Sequence, residues 1–187
     1  MVREANRFFV LTGGPGSGKS SLIDALARLG YARTVEAGRA IIQDEVDIGG
    51  NALPWADKGR FAALMLSWEM RSYRTAQEHS GPVFFDRGVP DVMAYLRLVN
   101  LPVPAHVIKA ASEFRYNRSV FIAPPWKEIF HPDRERTQDF DEAIRTYESL
   151  AFTYTELGYE LMELPRVSID ERVQYVLRTI AEAGFHV

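Results

Sequence analysis

Two patterns of apolar residues alternate along this chain. The first is a short unbroken run, as in Phe8-Phe9-Val10-Leu11, Pro82-Val83-Phe84-Phe85-Asp86 and Ser119 to Ala123. Runs this short, with no polar alternation and with glycine or proline close by, predict strands buried on both faces. Tyr31 to Val35 and Tyr159 to Leu164 predict two more. The second pattern steps by three and four residues, as a helix does. Leu22, Ile23, Leu26 and Leu29 follow it up to a stop at Gly30. Further helices are predicted over 36–46, 55–79, 89–100 and 105–114, with a loop over 47–54. Phe140, Ile144, Tyr147, Ala151 and Tyr154 mark another helix, which Gly158 ends. Ser168 and Glu171 form a capping box for a last helix over 169–183, stopped by Gly184.

Strands that alternate with helices and lack polar faces predict an α/β fold: a doubly wound parallel sheet of about five strands, in three layers. At 187 residues, with no linker, the chain reads as one domain over 1–187. Its only distinct sub-region is the aperiodic charged stretch near 126–139, a candidate lid. Composition narrows the function classes. Hydrophobic residues at 47% and charged residues at 25% exclude a disordered chain. A net charge of −3 lacks the cationic excess of a sequence-independent nucleic-acid binder. Cysteine is absent, which removes disulfides, thiolate nucleophiles and cysteine-based zinc sites. The four histidines show no metal spacing. With no secretory segment and no apolar run of about 18 residues, a cytoplasmic protein with no membrane partner is expected. The oligomeric state is not encoded in any pattern here.

The chemistry starts at Gly13-Gly14-Pro15-Gly16-Ser17-Gly18-Lys19-Ser20, which fits G-x-x-x-x-G-K-[ST] and joins the first predicted strand to the first predicted helix. Glycines let successive amides turn inward as an anion nest, and the helix dipole adds partial positive charge. Lys19 supplies a full charge for β- and γ-phosphates. The Ser20 hydroxyl suits Mg²⁺, with Ser21 as a second candidate.

Asp86 ends a predicted buried strand, at the sheet edge where open α/β sheets bind ligands. It reads as a Mg²⁺ ligand or an acceptor-orienting acid, or as a turn residue before Gly88. Glu36 follows the second strand and Arg39 lies one turn later. The pair reads as a carboxylate at the same edge with an anion-binding cation, or as a dipole-complementing helix start. Trp55, Phe61 and Trp68 read as rings that stack on an acceptor or, by their helical spacing, as core. Trp126 reads as a base-flanking ring or a packing anchor.

Arg87, beside Asp86, replaces the water-activating glutamate of many hydrolysing P-loop ATPases and resembles the Asp-Arg pair of small P-loop kinases. The stretches Phe9–Ser21, Glu36–Ile42, Phe85–Tyr95, Ala123–Phe130 and Asp133–Tyr147, and at the C-terminal end Leu157–Leu161, Leu164-Pro165 and Glu171-Arg172-Val173, resemble the AAA-labelled P-loop kinase-like family, which includes nicotinamide riboside kinase-like domains. The resemblance implies a kinase-type sheet, ATP and Mg²⁺ as cofactors, and phosphoryl transfer to a small-molecule hydroxyl acceptor whose identity stays open. It also implies roles: Glu36 as general base, Arg39 and Arg87 on an anionic acceptor or product, and Arg136 and Arg134 as lid arginines on the transferring phosphoryl group. A nucleotide-binding regulatory ATPase is the alternative, and a plain hydrolase is a weaker third.

Overall fold

The computed structural model describes residues 3–4, 6–130 and 139–185. In chain order its elements are β1 (Arg3–Glu4), β2 (Phe8–Gly13), α1 (Lys19–Arg28), β3 (Ala32–Arg33), α2 (Ala37–Ile48), α3 (Lys58–Ala76) and β4 (Val83–Asp86). Then follow α4 (Val89–Leu98), α5 (Ala105–Glu113), β5 (Phe114–Arg115), β6 (Ser119–Ala123), α6 (Phe140–Glu156), β7 (Glu160–Glu163) and α7 (Ile169–Glu182). A single 3₁₀ turn spans Lys127–Ile129.

Five strands make one parallel sheet in the order β3-β4-β2-β6-β7. The strand that comes first in this sheet, β2, therefore lies in its middle. The chain leaves it toward β4 and β3, then returns to add β6 and β7 on the other side. Ligands bind at such a switch point, beyond the carboxyl ends of the strands.

The unbroken apolar runs have the expected cause: all of β2 and β4 is buried. Side chains alternate between two cores. Phe8, Val10 and Phe85 pack toward α2 through α6, whereas Phe9, Leu11, Phe84 and Phe121 pack toward α1 and α7. Each such side chain stabilises the fold by about 1.5–3 kcal/mol.

The elements depart from the periodicity in a few places. The third helix starts at Lys58, because Asp57 caps it by accepting a hydrogen bond from the Arg60 amide at 2.9 Å. Trp55 is consequently outside that helix and 58% exposed, so it is not a core residue. The second helix runs on to Ile48, where Gly49 closes it with φ of 68°. A two-stranded parallel ribbon, β1 with β5, has no sequence signal. The capping box at Ser168 and Glu171 forms as expected.

Candidate active site

The phosphate-loop sequence links β2 to α1 at the switch point. Gly13 adopts φ of 138°, and a Cβ there would stand 2.5 Å from the Ala123 carbonyl oxygen on β6. Gly14 has the same problem with α6, since its Cβ would lie 2.7 Å from the Ala143 carbonyl oxygen. The loop is thus clamped between the sheet and α6, at distances only glycine permits. Lys19 is buried, and its Nζ donates to the carbonyls of Gly13 and Gly14, both at 2.9 Å, and to Ser17 Oγ at 3.3 Å. The ammonium is held at the loop, beside the first turn of α1. Ser20 and Ser21 are exposed on that turn.

Asp86 pairs in register with Leu11, two residues before the loop. Its amide donates to Thr34 Oγ1 at 3.1 Å, and its Oδ1 is buried with no hydrogen-bond partner. Burial and the neighbouring Glu36 push its pKa up to about 6, with Asp91 adding and Lys19 and Arg87 opposing. An orphaned carboxylate oxygen in this position would suit a divalent cation. Among the described residues no group of three or more His, Asp or Glu side chains forms a self-sufficient metal site.

Arg87 turns the chain with φ of 74°, a strained value for a non-glycine residue, while its amide donates to the Leu11 carbonyl at 3.0 Å. The turn aims the guanidinium between two acids: Nε donates to Glu36 Oε1 and Nη1 to Asp91 Oδ1, each at 3.4 Å. Burial works against its charge, but Glu36, Asp91 and Asp86 outweigh burial and hold it protonated. Arg39 is about half exposed, with Nε 3.8 Å from Glu36 Oε2.

Sequence reading missed Asp91. It accepts from Thr12 Oγ1 on β2 at 2.6 Å, from Tyr154 on α6 at 2.5 Å and from the Gly88 amide at 2.9 Å, besides Arg87. One carboxylate therefore ties the loop strand, the Arg87 turn and α6 together.

Glu69 on α3 was missed as well. Burial first, then Asp91, Asp86 and Glu36, hold its carboxyl protonated well above the usual range, and Arg87 only partly opposes them. The unfolded chain releases this proton near pH 4.5, while the folded chain keeps it. Above that pH the unfolded state binds fewer protons, so this group makes stability fall as pH rises. Glu69→Gln keeps the shape and removes the titration. We expect it to melt near the wild-type temperature at about pH 4 and about 2–4 °C higher at about pH 8. Thermal melts across that range decide it. A variant less stable at every pH would mean an ionised, paired carboxylate instead.

A cavity of about 280 Å³ opens beside these groups. Pro15 of the loop, Glu36, Arg87 and Asp91 line it, as do the polar Lys58, Glu142 and Thr146. Ile42, Phe61, Met65 and Leu150 add apolar lining, and exposed Trp55 also borders it. The Tyr95 hydroxyl, in the same lining, is buried without a hydrogen-bond partner, and burial with nearby Glu142 pushes it up to about 12.

The structure thus brings together Lys19, Asp86, Glu36 and Arg87, with Arg39 at the margin. Trp68 is only partly buried, and Trp126 packs on the Arg172 guanidinium. Arg134 and Arg136 lie outside the described residues. Phe130 and Phe140, on either side of residues 131–138, meet edge to face with ring centroids 5.5 Å apart. The Phe130 ring covers Gly16, with Cδ2 2.6 Å from where a Cβ would be.

A parallel five-stranded sheet in this order, with a glycine-rich lysine loop leaving its middle strand, defines the α/β fold of P-loop kinases. The chain belongs to the AAA domain family, whose pattern matches residues 8–172. Three solved structures share the fold. NadR protein in complex with NR superposes with a TM-score of 0.70 at 17% identity, over 95% of this chain and 51% of its own. The chain therefore spans about half the length of NadR. Deoxyadenosine kinase from M. mycoides with bound dATP gives 0.56 at 13% identity, covering 93% and 98%. Shikimate kinase from Acinetobacter baumannii in complex with shikimate gives 0.56 at 16% identity, covering 94% and 93%. No curated protein sequence matches the chain. Among the described residues no helix is long and apolar enough to cross a membrane.

Proposed function

We propose that the protein is a small-molecule kinase that transfers the γ-phosphoryl group of ATP to a hydroxyl acceptor. The observation that carries this reading is the cavity of about 280 Å³, which Pro15 of the phosphate loop lines together with Glu36 and Arg87. A hydrolase needs only a water there. A pocket with apolar lining suits an organic acceptor, and the fold neighbours in complex with NR and shikimate support that class of ligand.

The amides of residues 13–20 and Lys19 bind the phosphates, with Lys19 exchanging its carbonyl contacts for phosphate oxygens. Ser20 and Asp86 are the residues that would hold Mg²⁺, which supplies charge neutralisation at the β- and γ-oxygens. Glu36 takes the acceptor proton or orients the hydroxyl, and Arg87, 3.4 Å away, holds Glu36 in place. Arg39 is placed to bind an anionic acceptor or product. Arg136 and Arg134, which lie outside the described residues, are assigned to the transferring phosphoryl group on the family resemblance. The cavity favours an acceptor with a compact apolar or ring-shaped body, a hydroxyl at one end and a hydrogen-bonding atom within reach of Tyr95.

An acceptor screen with coupled ADP detection tests the reading. Nucleosides, nicotinamide riboside, sugars and short polyols are the starting set. At least one ring-bearing acceptor is expected to raise ADP formation at least tenfold over background. Tight ATP binding with no response to any acceptor would favour the regulatory ATPase.

A further inference from the structure

Arg172, in the first turn of α7, has the largest side chain among the fully buried residues. Its Nε donates to the Pro165 carbonyl at 2.8 Å, and its Nη1 donates to the Ser17 carbonyl at 2.9 Å. The Trp126 ring faces the guanidinium carbon at 4.9 Å. The second terminal nitrogen, Nη2, is buried and has no hydrogen-bond partner. Among the described residues no carboxylate pairs with this cation. The charge that acts on it is a second cation, Arg166, which together with burial lowers its pKa below the usual guanidinium value.

A buried guanidinium that contacts only neutral carbonyls and a ring is an expensive arrangement, because buried charges are normally paired. Its position explains why it is kept. Nη1 lies 3.1 Å from where a Cβ on Gly18 would stand, against the phosphate loop. The Ser17 carbonyl and the Gly18 amide belong to the same peptide plane. A cation bound to that carbonyl draws electron density from the peptide and makes its N–H a stronger donor. Gly18 is the N-cap of α1, one residue before Lys19, so its amide belongs to the set that such a loop presents to phosphate.

We propose that Arg172 is a positioning residue for the polyphosphate: it fixes and polarises the Ser17–Gly18 peptide and takes its missing counter-charge from the bound anion. The proposal rests on the nucleotide reading above. It differs from a purely structural strut between the Pro165 loop and the phosphate loop, for which only shape would matter.

The test compares wild type, Arg172→Gln and Arg172→Lys in titrations with magnesium tripolyphosphate, MgATP and AMP. Arg172→Gln is expected to bind tripolyphosphate and ATP tenfold or more weakly and to lose much less for AMP. Arg172→Lys, which restores the charge, is expected to recover most of the loss. Equal affinities in all three proteins would overturn the proposal, and so would a loss that is the same for AMP or that lysine does not repair. Wild-type chain that binds neither tripolyphosphate nor ATP would remove the nucleotide reading and this proposal together. If either variant fails to fold, the ¹⁵N resonance of Arg172 Nε in the wild-type chain decides. It is expected to shift on saturation with magnesium tripolyphosphate, and an unmoved resonance overturns the proposal.

Discussion

Lys19→Ala is expected to lower kcat/KM for ATP-dependent phosphorylation by about 10³-fold, the upper end of what one preorganised charge contributes to a developing anion. The argument is geometric. Lys19 is buried at 6% exposure, so its ammonium has already lost most of its water. Its partners include the loop carbonyls of Gly13 and Gly14, which are neutral and hold it at the loop. Phosphate oxygens are better acceptors for an ammonium than neutral carbonyls, so the exchange is favourable and needs little rearrangement. Alanine removes the charge and frees the two carbonyls. Thermal melts of the variant separate lost chemistry from lost folding, and turnover within a few-fold of wild type would make Lys19 a loop brace.

The second large effect is expected at Glu36. Glu36→Gln keeps the side-chain shape and a hydrogen bond toward Arg87 but removes the ability to take a proton. A general base contributes about 10²–10⁴-fold, so kcat is expected to fall by that factor while KM for ATP changes little. Two features of the site support the assignment. Glu36 borders the cavity that Pro15 of the phosphate loop also lines, and its Oε1 lies 3.4 Å from Arg87 Nε, which holds it in place. Steady-state kinetics with the acceptor found in the screen measure both parameters. A rise in KM for ATP with unchanged kcat would instead put Glu36 among the nucleotide-binding groups.

What the sequence made legible was local. Phe8 to Leu11 and Phe84-Phe85 reveal buried strands because nothing polar interrupts them, and the spacing of Gly13 to Ser20 is itself the loop. Lys19, Asp86, Glu36 and Arg87 could be placed because a doubly wound sheet delivers strand ends to one edge. The ribbon of β1 and β5 could not, since two-residue strands that begin with Arg3-Glu4 carry no period. The start of α3 was misplaced by three residues because apolar periodicity does not register a cap such as Asp57. Asp91 and Arg172 fall in stretches that carry the family resemblance, but their roles were hidden for a different reason. Asp91 meets Tyr154 across 63 residues, and Arg172 meets Ser17 across 155. In the sequence they are an ordinary helix acid and an ordinary helix cation. Only the packing of α4 on α6 and of α7 on α1 gives them their neighbours.

The claim that everything else depends on is that residues 13–20 bind the phosphates of a nucleotide. Calorimetric titration of the wild-type chain with MgATP measures this directly. The expected result is binding at one site per chain, in competition with tripolyphosphate and at least 100-fold weaker in Lys19→Ala. The absence of measurable binding, or binding that Lys19→Ala leaves intact, would contradict it.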